Sequence, residues 1–184
     1  MARRSNKRAA LVKAAREAFH ELGPKRSTLS VIAKRSGVPL GNVYYYFKAK
    51  DDLVAAVIAD LRAETEARLG ACGEEEGALA QLAAYLAWKG ERAETKARFG
   101  CPRAALAQEL GRDQSRLADD ARALLGVQQA WLSERFGEGE RAAQLAEELH
   151  CAVLGALAAA QASADADLLR RRLARLESWV AARV

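Results

Sequence analysis

The stretch Thr28–Leu53, TLSVIAKRSGVPLGNVYYYFKAKDDL, gathers three consecutive tyrosines and several lysines in a chain that is only 6% aromatic. Thr28, or Ser30 beside it, can accept hydrogen bonds from the free amides of a helix start. Leu29, Ile32 and Ala33 then recur at helical spacing, and Gly37 closes the helix. Pro39 fixes its own φ and biases Val38 toward extended backbone, so a second short helix can begin after a tight turn and run through Tyr45 or Tyr46. Two such helices joined by a glycine turn make a helix-turn-helix.

Working outward, Leu11, Ala14, Ala15, Ala18, Phe19 and Leu22 predict an amphipathic helix from about Asn6 to Leu22, closed by Gly23-Pro24. Downstream, a long helix is expected from near Ala49 toward Leu69. Further helices are expected at roughly 75–92, 102–110, 113–136, 140–162 and 165–182. With 184 residues, 51% of them hydrophobic, and three prolines, the chain reads as all-α, with material enough for a core without disulfides. The predicted organisation is a three-helix helix-turn-helix domain over 1–52 and a larger helical ligand-binding and dimerisation domain over 53–184.

Charge separates these regions. Met1–Asp52 holds twelve Lys or Arg against four Asp or Glu, a net of +8, whereas the remainder carries −3. One end is therefore suited to a polyanion. No apolar run approaches the ~20 residues that cross a bilayer, so no membrane partner is expected and the chain reads as cytoplasmic. Cys72, Cys101 and Cys151 are widely spaced and lack a CxxC pair, which fits reduced thiols better than a disulfide framework or a zinc site. There are two histidines, no HExxH, no glycine-rich phosphate loop and no GxSxG. No catalytic residues, metal ligands or cofactors are expected, and the chain is read as not an enzyme; a thiol pair of Cys101 with His150 is the sole formal alternative.

A short helix opening on a turn can enter the DNA major groove while the preceding helix lies across the backbone. A tyrosine hydroxyl can bond a phosphate while its ring packs on sugar or a thymine methyl, and Asn42 can reach a phosphate or a base edge. Lys48 and Lys50 stand where a phosphate is expected, and Lys50 can add its charge to the helix amides. Three successive side chains on a helix cannot point the same way. Tyr46 is expected to face the interior with Val43 and Phe47; Tyr44 and Tyr45 are expected to face outward.

The stretch closely resembles the DNA-binding segment of the TetR family of bacterial transcriptional regulators, of the form T-x-x-x-I-A-x-x-(A/S)-G-V-x-x-G-x-(L/V)-Y-x-Y-F-x-x-K-x-x-L. Thr28, Ile32, Ala33, Gly37, Val38, Gly41, Val43, Tyr44, Tyr46, Phe47, Lys50 and Leu53 fall in register without a gap. The resemblance covers about Asn6–Leu61. It implies DNA contacts by Thr28, Ser30, Leu40, Gly41, Asn42, Tyr44, Tyr45 and Lys50. It also implies a homodimer on a palindromic double-stranded operator, and a repressor released by a small-molecule effector. Pro39 and Leu40 stand where members often carry polar residues, so Leu40 offers a thymine methyl contact and no hydrogen bond. A non-specific architectural DNA binder would share the basic end but would not need the large, nearly neutral helical remainder.

Two apolar stripes occur near the C-terminus: Leu145, Leu149, Ala152, Val153, Ala156, Leu157 and Ala160, then Leu169, Leu173, Leu176 and Val180. They fit a dimer interface and an intramolecular core alike. The dimer reading is favoured, because one helix-turn-helix rarely supplies enough DNA contact by itself. Tyr85, Trp88, Phe99, Trp131 and Phe136 are candidates to line an apolar effector pocket, with ordinary core packing as the alternative. Cys101, just before Pro102 at a helix start and near Arg98 and Arg103, is the most suggestive thiol. GCPRAALAQEL resembles a Gly-Cys-Pro element in some TetR-type regulators, including ones thought to respond to electrophiles. That resemblance supports an alternative, a repressor sensing electrophiles or oxidants through Cys101, beside the plain reading of a buried, inert cysteine.

Overall fold

The polypeptide is helical throughout in a computed structural model, which describes residues 2–184, with side chains from Asn6 onward. Ten helices follow one another among the described residues: α1 (Ala2–Leu22), α2 (Leu29–Ser36), α3 (Leu40–Tyr46), α4 (Lys50–Gly73), α5 (Ala78–Gly90), α6 (Ala93–Phe99), α7 (Pro102–Arg112), α8 (Ala118–Phe136), α9 (Glu140–Ser163) and α10 (Ala166–Ala181).

The chain divides into two compact units. One runs to Ala63 and takes in Ala105–Ala123; the other comprises Glu64–Ala104 and Leu124–Val184. The division falls inside α4, α7 and α8, each of which gives residues to both units. It lies beyond the boundary expected after Asp52, because Leu53, Val54, Val57, Ile58 and Leu61 continue the buried face of α4.

In the first unit, α1 lays Leu11, Ala15, Ala18 and Phe19 into a core shared with Ile32, Val43 and Phe47. The turns are built locally. The Thr28 hydroxyl oxygen accepts from Val31 N at 3.2 Å, and Gly37 ends α2 at φ 68°, a left-handed conformation that costs glycine nothing. Gly23 (φ 79°) ends α1, and a methyl group added there would land on the Glu109 carboxylate, which accepts the Lys25 amide at 2.7 Å.

The second unit packs α5, α9 and α10 around Leu82, Tyr85, Leu86, Leu132, Leu149, Val153, Leu157, Leu169 and Leu173. Three expectations need correction here. The segment 93–99 carries its own short helix, α6, split from α5 by Arg92 in a left-handed conformation at φ 53° and anchored by buried Ala93 and Ala97. The helix expected over 113–136 starts only at Ala118, because Ser115 N turns back to Leu110 O at 2.9 Å and Gln114 adopts φ 50°.

The third concerns the C-terminal stripes, most of which are spent inside the chain. Leu145, Leu149, Val153, Ala156, Leu157, Ala160, Leu169, Leu173 and Val180 are all buried, Leu176 is half-buried, and Ala152 alone of the set is exposed. A different face of α9 and α10 remains open. There Ala152, Gly155, Ala156 and Ala159 face Arg172, Arg175, Leu176 and Trp179 across a groove of about 410 Å3.

Candidate nucleic-acid interface and a polar cluster in the second unit

Helix α3 is held by its inward side and offers its outward side. Val43 and Phe47 are buried, and the Phe47 amide donates to Val43 O at 2.9 Å, so the helix is closed where the chain turns. The Arg8 guanidinium lies 5.2 Å from the Phe47 ring centroid, which ties α1 to the end of α3. With that side fixed, the 100° step between residues puts Leu40, Gly41, Asn42, Tyr44 and Tyr45 at the surface, with Tyr44 50% and Tyr45 55% exposed. Tyr46, expected inside, is only half-buried; its ring meets Tyr45 edge-on at 5.2 Å.

Around this helix the other expected contacts are placed as follows. Thr28 and Ser30 are exposed at the start of α2. The Thr28 oxygen is engaged by the Val31 amide, which leaves its proton free to donate to a phosphate oxygen. Lys50 is half-buried and its ammonium donates to Lys25 O at 3.2 Å. The amides before α4 do not wait for an anion as anticipated: Lys48 N and Ala49 N donate to Asp52 Oδ2 at 3.0 and 2.9 Å. The Asp52 carboxylate thus occupies the two amides that precede the helix.

The second unit brings Tyr85, Trp88 and Trp131 together. Tyr85 stacks on Trp131 at 5.8 Å and meets Trp88 edge-on at 5.9 Å, and Cys101 packs against the same cluster, partly accessible. Phe99 is half-buried, and Phe136 packs instead against Trp179 at 6.2 Å.

Absent from the sequence reading was Lys89. Leu82, Tyr85, Leu86 and Lys89 share one face of α5, so the lysine follows the apolar stripe inward and is 6% exposed. Its ammonium donates to Gln128 Oε1 and sits 3.7 Å from the Trp88 ring centroid and 4.7 Å from that of Tyr85. Burial pushes its pKa down to about 7, against the opposing field of Cys101. Burial, with the Lys89 charge, holds His150 down to about 4. Burial also raises the Tyr85 phenol and the Cys72 thiol. Arg103, which could have polarised Cys101, directs its guanidinium to Thr65 Oγ1 and Glu64 Oε2, both at 2.6 Å. The signal for Lys89 was legible: a lysine four residues after a tyrosine on an otherwise apolar stripe.

An all-helical chain with a helix-turn-helix near its start, an exposed aromatic face on the second short helix and lysines just after it has the architecture of a DNA-binding regulatory protein. The model of the "Bacterial regulatory proteins, tetR family" matches residues 11–57. The probable HTH-type transcriptional regulator ArpR of Pseudomonas putida is 39% identical over 75 residues, 41% of this chain and 35% of that protein. Transcriptional regulator AcuR of Cereibacter sphaeroides is 34% identical over 140 residues, 76% of this chain and 63% of that protein. The chain thus spans less than two thirds of the curated relatives it matches. The crystal structure of a TetR transcriptional regulator from Chloroflexus aurantiacus superimposes with a TM-score of 0.81 over 98% of this chain and 97% of that one, at 18% identity, and so shares the fold. Residues 11–57 thus carry the DNA-binding segment of the TetR family, and the chain as a whole shares the fold of that family's solved members. Among its described residues no helix is long and apolar enough to cross a membrane.

Proposed function

We propose that the protein is a cytoplasmic, non-enzymatic transcriptional repressor that holds a palindromic operator as a symmetric dimer and is released by a small molecule bound in the second unit. The observation that carries this reading is the outward face of α3, where Asn42, Tyr44 and Tyr45 are exposed because Val43 and Phe47 are locked inside. Two copies must then present their α3 helices to major-groove segments about 34–36 Å apart, or a multiple of that. Helix α4 contributes to both units and is a continuous covalent path by which effector binding can alter the spacing. Selection of bound sequences from a random duplex pool tests the reading; failure to enrich any palindrome would overturn it.

Lys50→Ala and Tyr44→Phe should differ. Loss of the lysine charge should weaken binding to every sequence and flatten the dependence on salt by about one unit of slope, since one phosphate contact disappears. Tyr44→Phe should leave the slope of the salt dependence intact while lowering affinity through one lost hydrogen bond. Fluorescence anisotropy of labelled duplexes between low and high salt reads both.

The open groove of α9 and α10 supports the dimer. Ala152, Gly155 and Ala159 allow a second copy's helix to approach closely, while the longer stripes are already covered within the chain. Ala159→Arg adds bulk and a charge opposite Arg172 and Arg175. It is expected to shift the dissociation constant of the dimer at least tenfold upward in sedimentation velocity; an unchanged constant would move the interface elsewhere.

The second reading, sensing through Cys101, is supported by the partial accessibility of that thiol against the aromatic cluster. Thiol-reactive electrophiles should then release operator from the native protein and fail with Cys101→Ser.

A further inference from the structure

The cluster around Lys89 holds an ammonium and two polar groups that the chain does not satisfy. Tyr85 Oη and His150 Nδ1 are buried and have no hydrogen-bond partner, at residue exposures of 0% and 7%. A buried polar atom without a partner is costly, and two of them in the cluster that holds a buried lysine leave room for a partner the chain does not supply. No carboxylate among the described residues lies within ion-pair distance of Lys89; its one polar partner is the neutral Gln128 amide oxygen.

Neighbouring cations are committed elsewhere. Arg103 bonds Glu64 and Thr65, and the Lys96 ammonium donates to Trp88 O at 3.3 Å and Lys89 O at 2.8 Å. Among the described residues Lys96 also lacks a carboxylate, but its ammonium is held by two carbonyls; Lys89 alone sits over the rings of Trp88 and Tyr85, which suits a single negative charge on an apolar body. A phosphate dianion would demand a second free cation, and a cationic ligand would meet Lys89 itself.

We propose that this cluster is the effector site and that it takes a small monocarboxylate, with the carboxylate paired to Lys89 and hydrogen-bonded by Tyr85 Oη and His150, and the apolar remainder against Trp88 and Trp131. This rests on the effector-released reading above and names the chemical class of the effector. At neutral pH His150 is uncharged and donates through Nδ1 as one of its two tautomers.

Proton linkage gives the assignment a signature. The groups facing Lys89 are Cys72 from α4, Tyr85 from its own helix, Lys96 from α6, Cys101 and Arg103 at the start of α7, and His150 from α9. Helix α10 contributes apolar Leu169, Leu173 and Val180 to the core. Between pH 7 and 8.5 the ligand carboxylate stays ionised while free Lys89, at about 7, loses its proton. Binding must return that proton, so affinity should fall about fifteenfold across this window, by the change in the protonated fraction.

The test is calorimetry on the full chain without DNA, with propionate, hexanoate and benzoate against their amides, at pH 7 and 8.5 and in buffers of different ionisation enthalpy. The expected result is tighter binding of at least one carboxylate than of its amide, uptake of nearly one proton at pH 8.5, and the fifteenfold pH effect. Lys89→Met and Lys89→Gln should each lose at least tenfold in affinity and the proton uptake, and Tyr85→Phe should lose severalfold. Failure of all three carboxylates to bind at millimolar concentration, equal binding of acid and amide, or unchanged affinity in both Lys89 variants would overturn the assignment. So would capture of benzaldehyde: the neutral amine would attack the carbonyl carbon and expel water to form an imine. Borohydride would then reduce the imine to a stable mass increment on the native protein and not on Lys89→Met, marking a carbonyl ligand instead. A parallel operator titration separates the two levels. Carboxylate that binds without releasing DNA upholds the site and sinks the effector role; release by an uncharged compound alone does the reverse.

Discussion

Tyr85→Ala is expected to cost about 3–5 kcal/mol of folding stability, the range for deleting a buried aromatic ring, and to lower the melting temperature by roughly 6–20 °C for a chain of this size. The ring is 0% exposed, stacks on Trp131 at 5.8 Å and meets Trp88 at 5.9 Å, so its removal leaves a cavity bordered by two indoles that cannot both close on it. Tyr85→Phe keeps the ring and removes only a hydroxyl without a partner. It should be neutral or stabilising by up to about 1 kcal/mol, since nothing in the chain loses a hydrogen bond. Chemical denaturation of both variants separates the two contributions. A loss in Tyr85→Phe comparable with that in Tyr85→Ala would mean that the hydroxyl is satisfied in solution, and would weaken its assignment to a ligand.

Lys89→Met should do the opposite and stabilise the unliganded protein. The native lysine is held at about 7 against an ordinary value of 10.5, so its charged form is disfavoured by burial, an effect of a few kcal/mol at 1.36 kcal/mol per unit. Methionine of similar length removes that penalty but leaves Gln128 Oε1 without its donor, which costs about 1–3 kcal/mol. The net expectation is a gain of about 1–3 kcal/mol at pH 7. Between pH 7 and 10.5 the unfolded chain holds the lysine proton and the folded one has released it, so the native protein gains stability as pH rises through this window. The advantage of Lys89→Met should therefore be largest at and below pH 7 and shrink toward pH 10. An advantage independent of pH would show that the lysine remains charged in the core. His150 adds a separate loss in the native protein as pH falls from 6.5 toward about 4, because folded imidazole resists the proton that the unfolded chain accepts.

On the assignment proposed above, Tyr85 and Lys89 belong to a site that is less stable without its ligand than with it. A buried cation and unpartnered donors raise the free energy of the unliganded second unit, and a bound anion would satisfy both at once. Differential affinity of about a hundredfold between two conformations supplies about 2.7 kcal/mol, within the usual range of coupling energies.

The helix-turn-helix was legible in the sequence because its determinants are local. The Thr28 cap, the left-handed Gly37, Pro39 at the start of α3 and the alternation of Val43 and Phe47 with exposed neighbours each act within a few residues. Their positions follow from backbone sterics and helical period, with no need to know what packs where. Helix α6 was not legible, since nothing in the residue type of Arg92 announces a left-handed break and only the packing of Ala93 and Ala97 holds the short helix in place. The stripes on α9 and α10 show the limit more sharply. Periodicity states that Leu149, Val153, Leu157, Leu169 and Leu173 face something apolar, and it is silent on whether that is the same chain or a second copy. The tertiary structure decided for the same chain and left Gly155, Ala159 and Trp179 on the open face. Lys89 was in view as one charged residue on an apolar stripe, but its meaning depends on Gln128, His150, Cys101 and Trp88 from other segments. Only folding brings those within reach, because the desolvation that shifts its pKa is a property of the packed core and not of the helix that carries it.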